Sequence, residues 1–227
     1  MIVAQAREIQ IDVDRVAPAA SPLALVRRRI NGRYVVDPFG FDPDIADLAS
    51  PVVSATVHID VEGTEHIPAS GPAAMIMNRG FGFVEPTAVS LAVRRAVGRR
   101  LRVVGLPGVP FVNGVALRFG AVSAEVGDVA SALRAGHLLL LPLAQSWLRT
   151  GAGSSPLALL QAMRAYPVLP VAVRPSGPLG LPLRWSVRIG APLETDRTYP
   201  IDDPLAAAEL GENVRQNVEK LLGRSVT

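Results

Sequence analysis

The nine residues Asn78-Arg79-Gly80-Phe81-Gly82-Phe83-Val84-Glu85-Pro86 put a guanidinium and a carboxylate on one glycine-broken segment, with five residues between them. An arginine holds anions but cannot act as a base, because its pKa lies far above neutrality. A carboxylate can take a proton from a hydroxyl. Three readings of Arg79 and Glu85 therefore stand side by side. They form a buried ion pair that keeps the loop satisfied, they hold the anionic group of a ligand, or Glu85 works as a general base. Asn78, Phe81 and Phe83 are ligand-binding candidates beside them, and Phe81, Phe83, Leu143 and Trp147 are candidates to fill a cleft.

Other chemistries are narrowed by composition. The 227 residues contain no cysteine, which excludes thiolate nucleophiles and cysteine-based zinc sites and suits a reducing cytoplasm. His58 and His66 flank one predicted strand and His137 opens another; no two have metal-ligand spacing, so each reads as structural or surface and no metal is expected. Gly80-x-Gly82 lacks the third glycine and the downstream acid of a dinucleotide fingerprint. Gly151-Ala152-Gly153-Ser154-Ser155 lacks the lysine of a phosphate loop. There is no Gly-x-Ser-x-Gly elbow, which argues against a serine hydrolase.

The elements that must position these residues alternate. Short apolar runs predict strands at Val57–Val61, Ala73–Met77, Leu101–Val104, His137–Leu141, Val168–Val173 and Trp185–Ile189, several of them apolar on both faces, as buried parallel strands are. Between them lie predicted helices at Pro86–Val97 and at Asp128–Ala135, the second with an Asp128 cap and a Gly136 stop. The last helix has Asp203 as cap, Pro204 first, an apolar stripe of Leu205, Leu210, Val214, Val218 and Leu221, and Gly223 past its end; it should close the sheet from one side. Pro175–Pro182 is a loop by composition. This pattern predicts an α/β protein: a single domain at residues 51–227, with a mostly parallel central sheet and helices on both faces, preceded by an arm at residues 1–50.

Charge and hydropathy bear on partners. The net charge is +3, with 49% hydrophobic and 19% charged residues and a mean hydropathy of +0.30. That is the apolar edge of soluble proteins and leaves surface to face a lipid or a partner. No apolar run is long enough to span a membrane, and no secretory signal is evident. Arg94, Arg95, Arg99 and Arg100, with Arg102 beyond them, gather at the end of the helix after the Arg79 loop, either as a solvated helix end or as a contact for anionic lipid headgroups. Arg27-Arg28-Arg29 is a second basic cluster. Nucleic acid is not an expected partner, since no recognition module is visible and few aromatics could stack bases.

One resemblance organises these observations. Val61-Glu62-Gly63-Thr64-Glu65-His66-Ile67-Pro68 matches the opening pattern Val-x-Gly-x-Glu-x-Ile-Pro of the phospholipid/glycerol acyltransferases. Gly71-Pro72, Asn78, Leu133-Arg134-Ala135-Gly136, Val168–Val173 and Val187–Pro192 also fall where that family has them. The chain resembles this family from about Val57 to Leu193, and the segment Asn31–Pro43 is similar to the arm of some actinobacterial members.

The resemblance implies an imidazole in a His-x4-Asp motif that deprotonates an acceptor hydroxyl as it attacks an acyl thioester. Here Arg79 stands at the histidine position and Glu85 before the proline, one residue too far. Glu125 stands where a Gly-x4-Arg motif would place its phosphate-binding arginine, and a carboxylate repels phosphate. Leu143 stands where Pro-Glu-Gly has its glutamate. Three polar anchors are lost while the strands that carried them persist.

What this implies is a catalytically degenerate, lipid- or acyl-binding or regulatory protein, with an acyl chain, a membrane surface or an active acyltransferase as partner. It would be cytoplasmic, peripheral at the inner membrane face, and would need no cofactor. The alternatives are an active O-acyltransferase with a rearranged site, using acyl-CoA or acyl carrier protein as donor and a lysophospholipid or glycolipid as acceptor, and an interaction module with a filled cleft.

Overall fold

The computed structural model describes residues 22–32, 36–46, 57–78, 84–105, 110–142, 154–176, 183–194 and 203–223. Among them are strands β1 (Val57–Glu62), β2 (Ala73–Met77), β3 (Leu101–Val104), β4 (Ala121–Val122), β5 (Leu138–Pro142), β6 (Val168–Pro175) and β7 (Leu183–Ile189). The helices are α1 (Pro22–Ile30), α2 (Val84–Val97), α3 (Pro110–Arg118), α4 (Val126–Arg134), α5 (Pro156–Met163) and α6 (Pro204–Leu221). The strands form one sheet in the order β1-β7-β6-β2-β5-β3-β4. Every neighbouring pair is parallel except β6 with β7. This is the expected α/β architecture.

Its logic lies in the central strands. Ala73-Ala74-Met75-Ile76-Met77 and Leu138-Leu139-Leu140-Leu141-Pro142 offer apolar side chains to both faces, so both faces must be covered. Met75, Met77, Leu138, Leu140, Leu169 and Val171 pack with Ala88, Val89, Ala92 and Val93 of α2. Ala74, Ile76, Leu139 and Leu141 pack on the opposite face with residues of α4, α5 and α6.

Several boundaries differ from expectation for identifiable reasons. Helix α4 starts two residues before Asp128, because its Val126 N–H bonds to the Ser154 hydroxyl at 3.1 Å. The N-cap Glu125 makes no capping bond of its own, and Asp128 falls within the first turn. On α6, Asp203 does cap, accepting from the Leu205 N–H at 2.9 Å. Leu205, however, is 72% exposed, and the buried stripe runs through Ala206, Ala207, Leu210, Val214 and Val218. Position 205 is five residues before Leu210 and so falls off a stripe of period 3.6. Helices α1, α3 and α5 and the two-residue β4 were not anticipated.

Gly63 shows why the opening pattern has its glycine. It sits at φ 79°, and a Cβ there would collide with the carbonyl oxygen of Ile189. The left-handed conformation and the close approach of β7 both demand glycine. The turn it begins buries Ile67 against the α2 face of the sheet.

Residues 36–46, within the expected arm, pack on the domain. Strand β4 pairs only with Val103 and Val104 of β3, so Leu101 and Arg102 lack a strand partner on that side. The arm lies there, as loops commonly cover exposed sheet edges. Asp37 is ion-paired with Arg102, and their side chains are 2% and 1% exposed respectively. The other Asp37 oxygen accepts from the N–H groups of Phe39 at 2.9 Å and Phe41 at 2.8 Å. Asp42 donates its N–H to the Arg118 carbonyl at 3.1 Å, and its carboxylate faces the Arg118 guanidinium at 3.5 Å.

Candidate functional site

Strands β2, β3, β4, β5 and β6 run the same way, so their C-terminal ends share one end of the sheet. The helix after β2 covers one face, and the helix after its neighbour β5 covers the other. Open α/β sheets place ligands in the crevice outside such a switch point. The topology brings to this end Asn78 after β2, Glu85 in the first turn of α2, and Glu125 after β4. Arg79, Phe81, Phe83, Leu143 and Trp147 lie outside the described residues, and so does any pairing of Arg79 with Glu85.

Asn78 is committed to the sheet. Its Nδ2 donates to the Val173 carbonyl at 2.9 Å, and its Oδ1 accepts from the Val173 N–H at 2.6 Å. Its own N–H donates to the Val171 carbonyl at 3.2 Å. The side chain thus extends the β2–β6 ladder past Met77 and fixes where the following loop departs. Glu85 is buried at the N-terminus of α2, where the helix dipole favours a carboxylate. Glu125 is exposed and accepts from the Ser154 hydroxyl at 3.1 Å.

The arginines of the basic cluster lie toward the other end of the sheet. Helix α2 has 14 residues, so its C-terminus stands about 20 Å from the motif end. There Arg99 donates to the carbonyls of Pro68 at 2.8 Å, Gly71 at 2.6 Å and Gly136 at 2.9 Å. It ties together the turns that precede β2 and β5. Arg102 is buried on β3. Arg100 stands over the Phe41 ring at 5.0 Å. Arg95 is exposed and Arg94 half-buried.

The histidines do not gather at the strand ends. His58 is exposed on edge strand β1, with β7 and β6 between it and β2. His66 places Nδ1 3.0 Å from the Ile189 carbonyl, at the C-terminal end of β7. His137 precedes β5 and meets the Phe39 ring edge-on, with centroids 5.8 Å apart. Among the described residues no group of acids and histidines could hold a metal ion.

A cavity of about 550 Å³ runs beside β3. Its walls are Pro86, Thr87, Ser90, Leu91 and Arg94 of α2, residues 100–103 and Gly105 of β3 and its flanks, and Val112, Val115, Ala116 and Phe119 of α3 and its end. Phe41 and Ala46 of the arm and Gly120 and Ala121 before and in β4 complete it. The lining is overwhelmingly apolar. The Ser90 hydroxyl donates to the Pro86 carbonyl at 2.8 Å, so it is satisfied within its own helix. The chain's sequence pattern carries no direct signal of this cavity, because a third of its lining residues come from α3 with its end and the arm.

These features define an α/β domain with an apolar cavity reaching toward the C-terminal ends of its strands. No family profile matches the chain. It is similar to an uncharacterised protein of Mycobacterium tuberculosis, 24% identical over 90% of this chain and 73% of the relative. An uncharacterised protein of Mycobacterium leprae is likewise 24% identical, over 90% of this chain and 71% of the relative. Among solved structures, the 1-acyl-sn-glycerophosphate (LPA) acyltransferase PlsC from Thermotoga maritima aligns with a TM-score of 0.46 and 17% identity, covering 81% of this chain and 80% of that one.

Proposed function

We infer that this protein binds an acyl chain or lipid on an acyltransferase-like domain from which the ancestral acid–base pair is missing, and that it serves as a regulatory or carrier partner beside an active acyltransferase. The observation that carries this reading is the apolar cavity of about 550 Å³, well inside the range of small-molecule sites, roughly 300–1,000 Å³. The opening pattern Val61–Pro68 supplies the acyl part of the reading. The replacements at Arg79, Glu125 and Leu143 supply the loss of chemistry. An open cavity favours an apolar ligand over an interaction module with a filled cleft.

A second reading is favoured by one side chain. Glu85 is buried next to Pro86 and Thr87, which line the cavity, and a carboxylate there could serve as the general base of an active O-acyltransferase. Acyl transfer by the purified protein, from acyl-CoA or acyl carrier protein donors to lysophosphatidic acid and glycolipid acceptors, separates the two. We expect no turnover, with acyl chains retained on the protein in native mass spectrometry. Turnover that Glu85→Ala abolishes would establish the second reading.

No described helix is long and apolar enough to cross a membrane. Peripheral contact with an anionic bilayer face is proposed through α1. Leu23 and Ile30 are 79% and 80% exposed and Val26 half-exposed; at i, i+3 and i+7 they share one stripe. The stripe stands in a helix carrying the run Arg27-Arg28-Arg29, the pattern of a helix that lies in a charged interface.

A further inference from the structure

We propose that the outer edge of β1 is an interface at which two copies of this chain pair antiparallel about a twofold axis at Ile59, joining their two sheets into one. The proposal does not depend on what the cavity holds. Four strands separate β1 from β3, so the cavity stays free in both copies.

Strand β1 ends the sheet with one neighbour, β7. Its other edge leaves alternate N–H and C=O groups without a strand partner among the described residues, and such an edge is a template for a further strand. The side chains of β1 are sorted by face. Val57, Ile59 and Val61 pack on the α2 face of the sheet, where Ile59 and Val61 are only half-buried. His58, Asp60 and Glu62 are exposed on the other face.

This pattern selects one register of self-pairing. Odd positions must meet odd positions, because a slip of one residue sets charged side chains against apolar ones. With Ile59 opposite its own copy, Val57 meets Val61 and His58 meets Asp60, each pair occurring twice. The apolar pairs extend the α2 face, and on the other face an imidazole N–H donates to a carboxylate across the ladder. Moving the axis to Asp60 sets that carboxylate against itself, and like charges directly opposite destabilise a strand pair. It also offers His58 the Glu62 carboxylate, which already faces Arg188 of β7 at 3.1 Å. Neither His58 nor Asp60 has such a side-chain partner among the described residues. Charges on an edge strand ordinarily keep other chains away; here their order about Ile59 repels an arbitrary strand and admits a copy of itself. The contact uses the same surface on both chains and therefore closes at two copies.

The test uses the full chain. Sedimentation velocity over a concentration series should show a monomer–dimer equilibrium in the wild type. Asp60→Lys should weaken it about tenfold or more, since two cross-strand pairs are lost at once. The exchange His58→Asp with Asp60→His restores both pairs in reverse and should recover it. The chain has no cysteine, so a single introduced thiol reports the register. Opposite residues of an antiparallel ladder have Cα atoms about 4.5–5.5 Å apart, within the span of a disulfide, so Ile59→Cys should form a disulfide-linked dimer under mild oxidation. Glu62→Cys should not, because the two copies of position 62 would stand about 20 Å apart. The charge variants alter exposed side chains and carry the test if Ile59→Cys does not fold. A wild type that is monomeric throughout would overturn the proposal, as would a dimer indifferent to Asp60→Lys or one linked through Glu62→Cys and not through Ile59→Cys.

Discussion

Asp37 and Arg102 come from segments 65 residues apart in sequence and meet where no water reaches them. The pair staples the arm to the uncovered edge of β3. Removing either partner strands a buried charge, which typically destabilises by about 3–5 kcal/mol. Asp37→Ala should lower the urea midpoint accordingly, while the apolar pair Asp37→Leu with Arg102→Met should recover the part due to the stranded charge and not the part due to the Phe39 and Phe41 N–H groups, which lose their acceptor in both variants. A single variant within about 0.5 kcal/mol of wild type, the range of ordinary surface substitutions, would show that the staple contributes nothing.

Gly63→Ala combines a left-handed backbone with a collision against Ile189. The backbone alone costs roughly 1–2 kcal/mol, and the collision adds to it by pushing β1 from β7. The melting temperature should fall more for this variant than for Gly71→Ala, where a Cβ meets nothing within 4 Å. Equal losses at the two positions would remove the close approach as the cause.

Arg99 and Arg95 are near neighbours with different expected roles. Arg99→Ala deletes three bonds to carbonyls and should cost roughly 2 kcal/mol, in the range for bonds to a charged group, without changing retention on anionic vesicles. Arg95→Ala removes an exposed side chain and should cost less stability than Arg99→Ala. Replacing Leu23 and Ile30 with glutamate should release the protein from phosphatidylglycerol vesicles, and sedimentation with neutral vesicles is the control. Vesicle binding lost with Arg99 and kept without Leu23 and Ile30 would move the membrane contact to the α2 end.

On α6, the Glu212 carboxylate receives Arg215 at 2.9 and 2.6 Å and Gln216 at 2.9 Å. Hydrogen bonding from Arg215 first, and then Gln216, pulls its pKa down to about 2. A depressed carboxylate contributes its stability above its unfolded pKa and loses it as pH falls through the folded value, here toward pH 2. Since the group is solvent-exposed, screening keeps the effect on unfolding small. Carboxyl chemical shifts should show Glu212 titrating near the folded value, and Arg215→Ala should return it to the ordinary carboxylate range with the acid-unfolding curve almost unmoved.

Much of the sheet was legible in sequence because runs such as Ala73–Met77 and Leu138–Leu141 are apolar on both faces and have no other stable fate. Helix α5 was also readable in principle: Ser155 and Pro156 are a capping residue and a first-turn proline, and Ser155 does accept from the Ala158 N–H at 3.2 Å. Helix α3, with Asn113 and Gly114 in its middle, has weak local preference, and the two residues of β4 are too few to show a period. The site was legible only as a set of positions. Which of Asn78, Glu85 and Glu125 is held by its surroundings depends on partners far along the chain, as with Val173 for Asn78. The cavity depends on the arm, whose docking rests on two aspartates, Asp37 and Asp42, that look like any loop residues.

The position of β1 has a consequence for biosynthesis. Its hydrogen-bonding neighbour is β7, reached only after more than half the chain has followed; Val57 lies opposite Leu183. A strand leaving the ribosome early therefore waits for a partner made late, and closing so long a loop is slow. Until β7 arrives, Val57, Ile59 and Val61 have no ladder to join, and such unpaired apolar strands are what chaperones hold. Chains halted before residue 183 should aggregate or remain chaperone-bound, whereas chains carrying β7 should release.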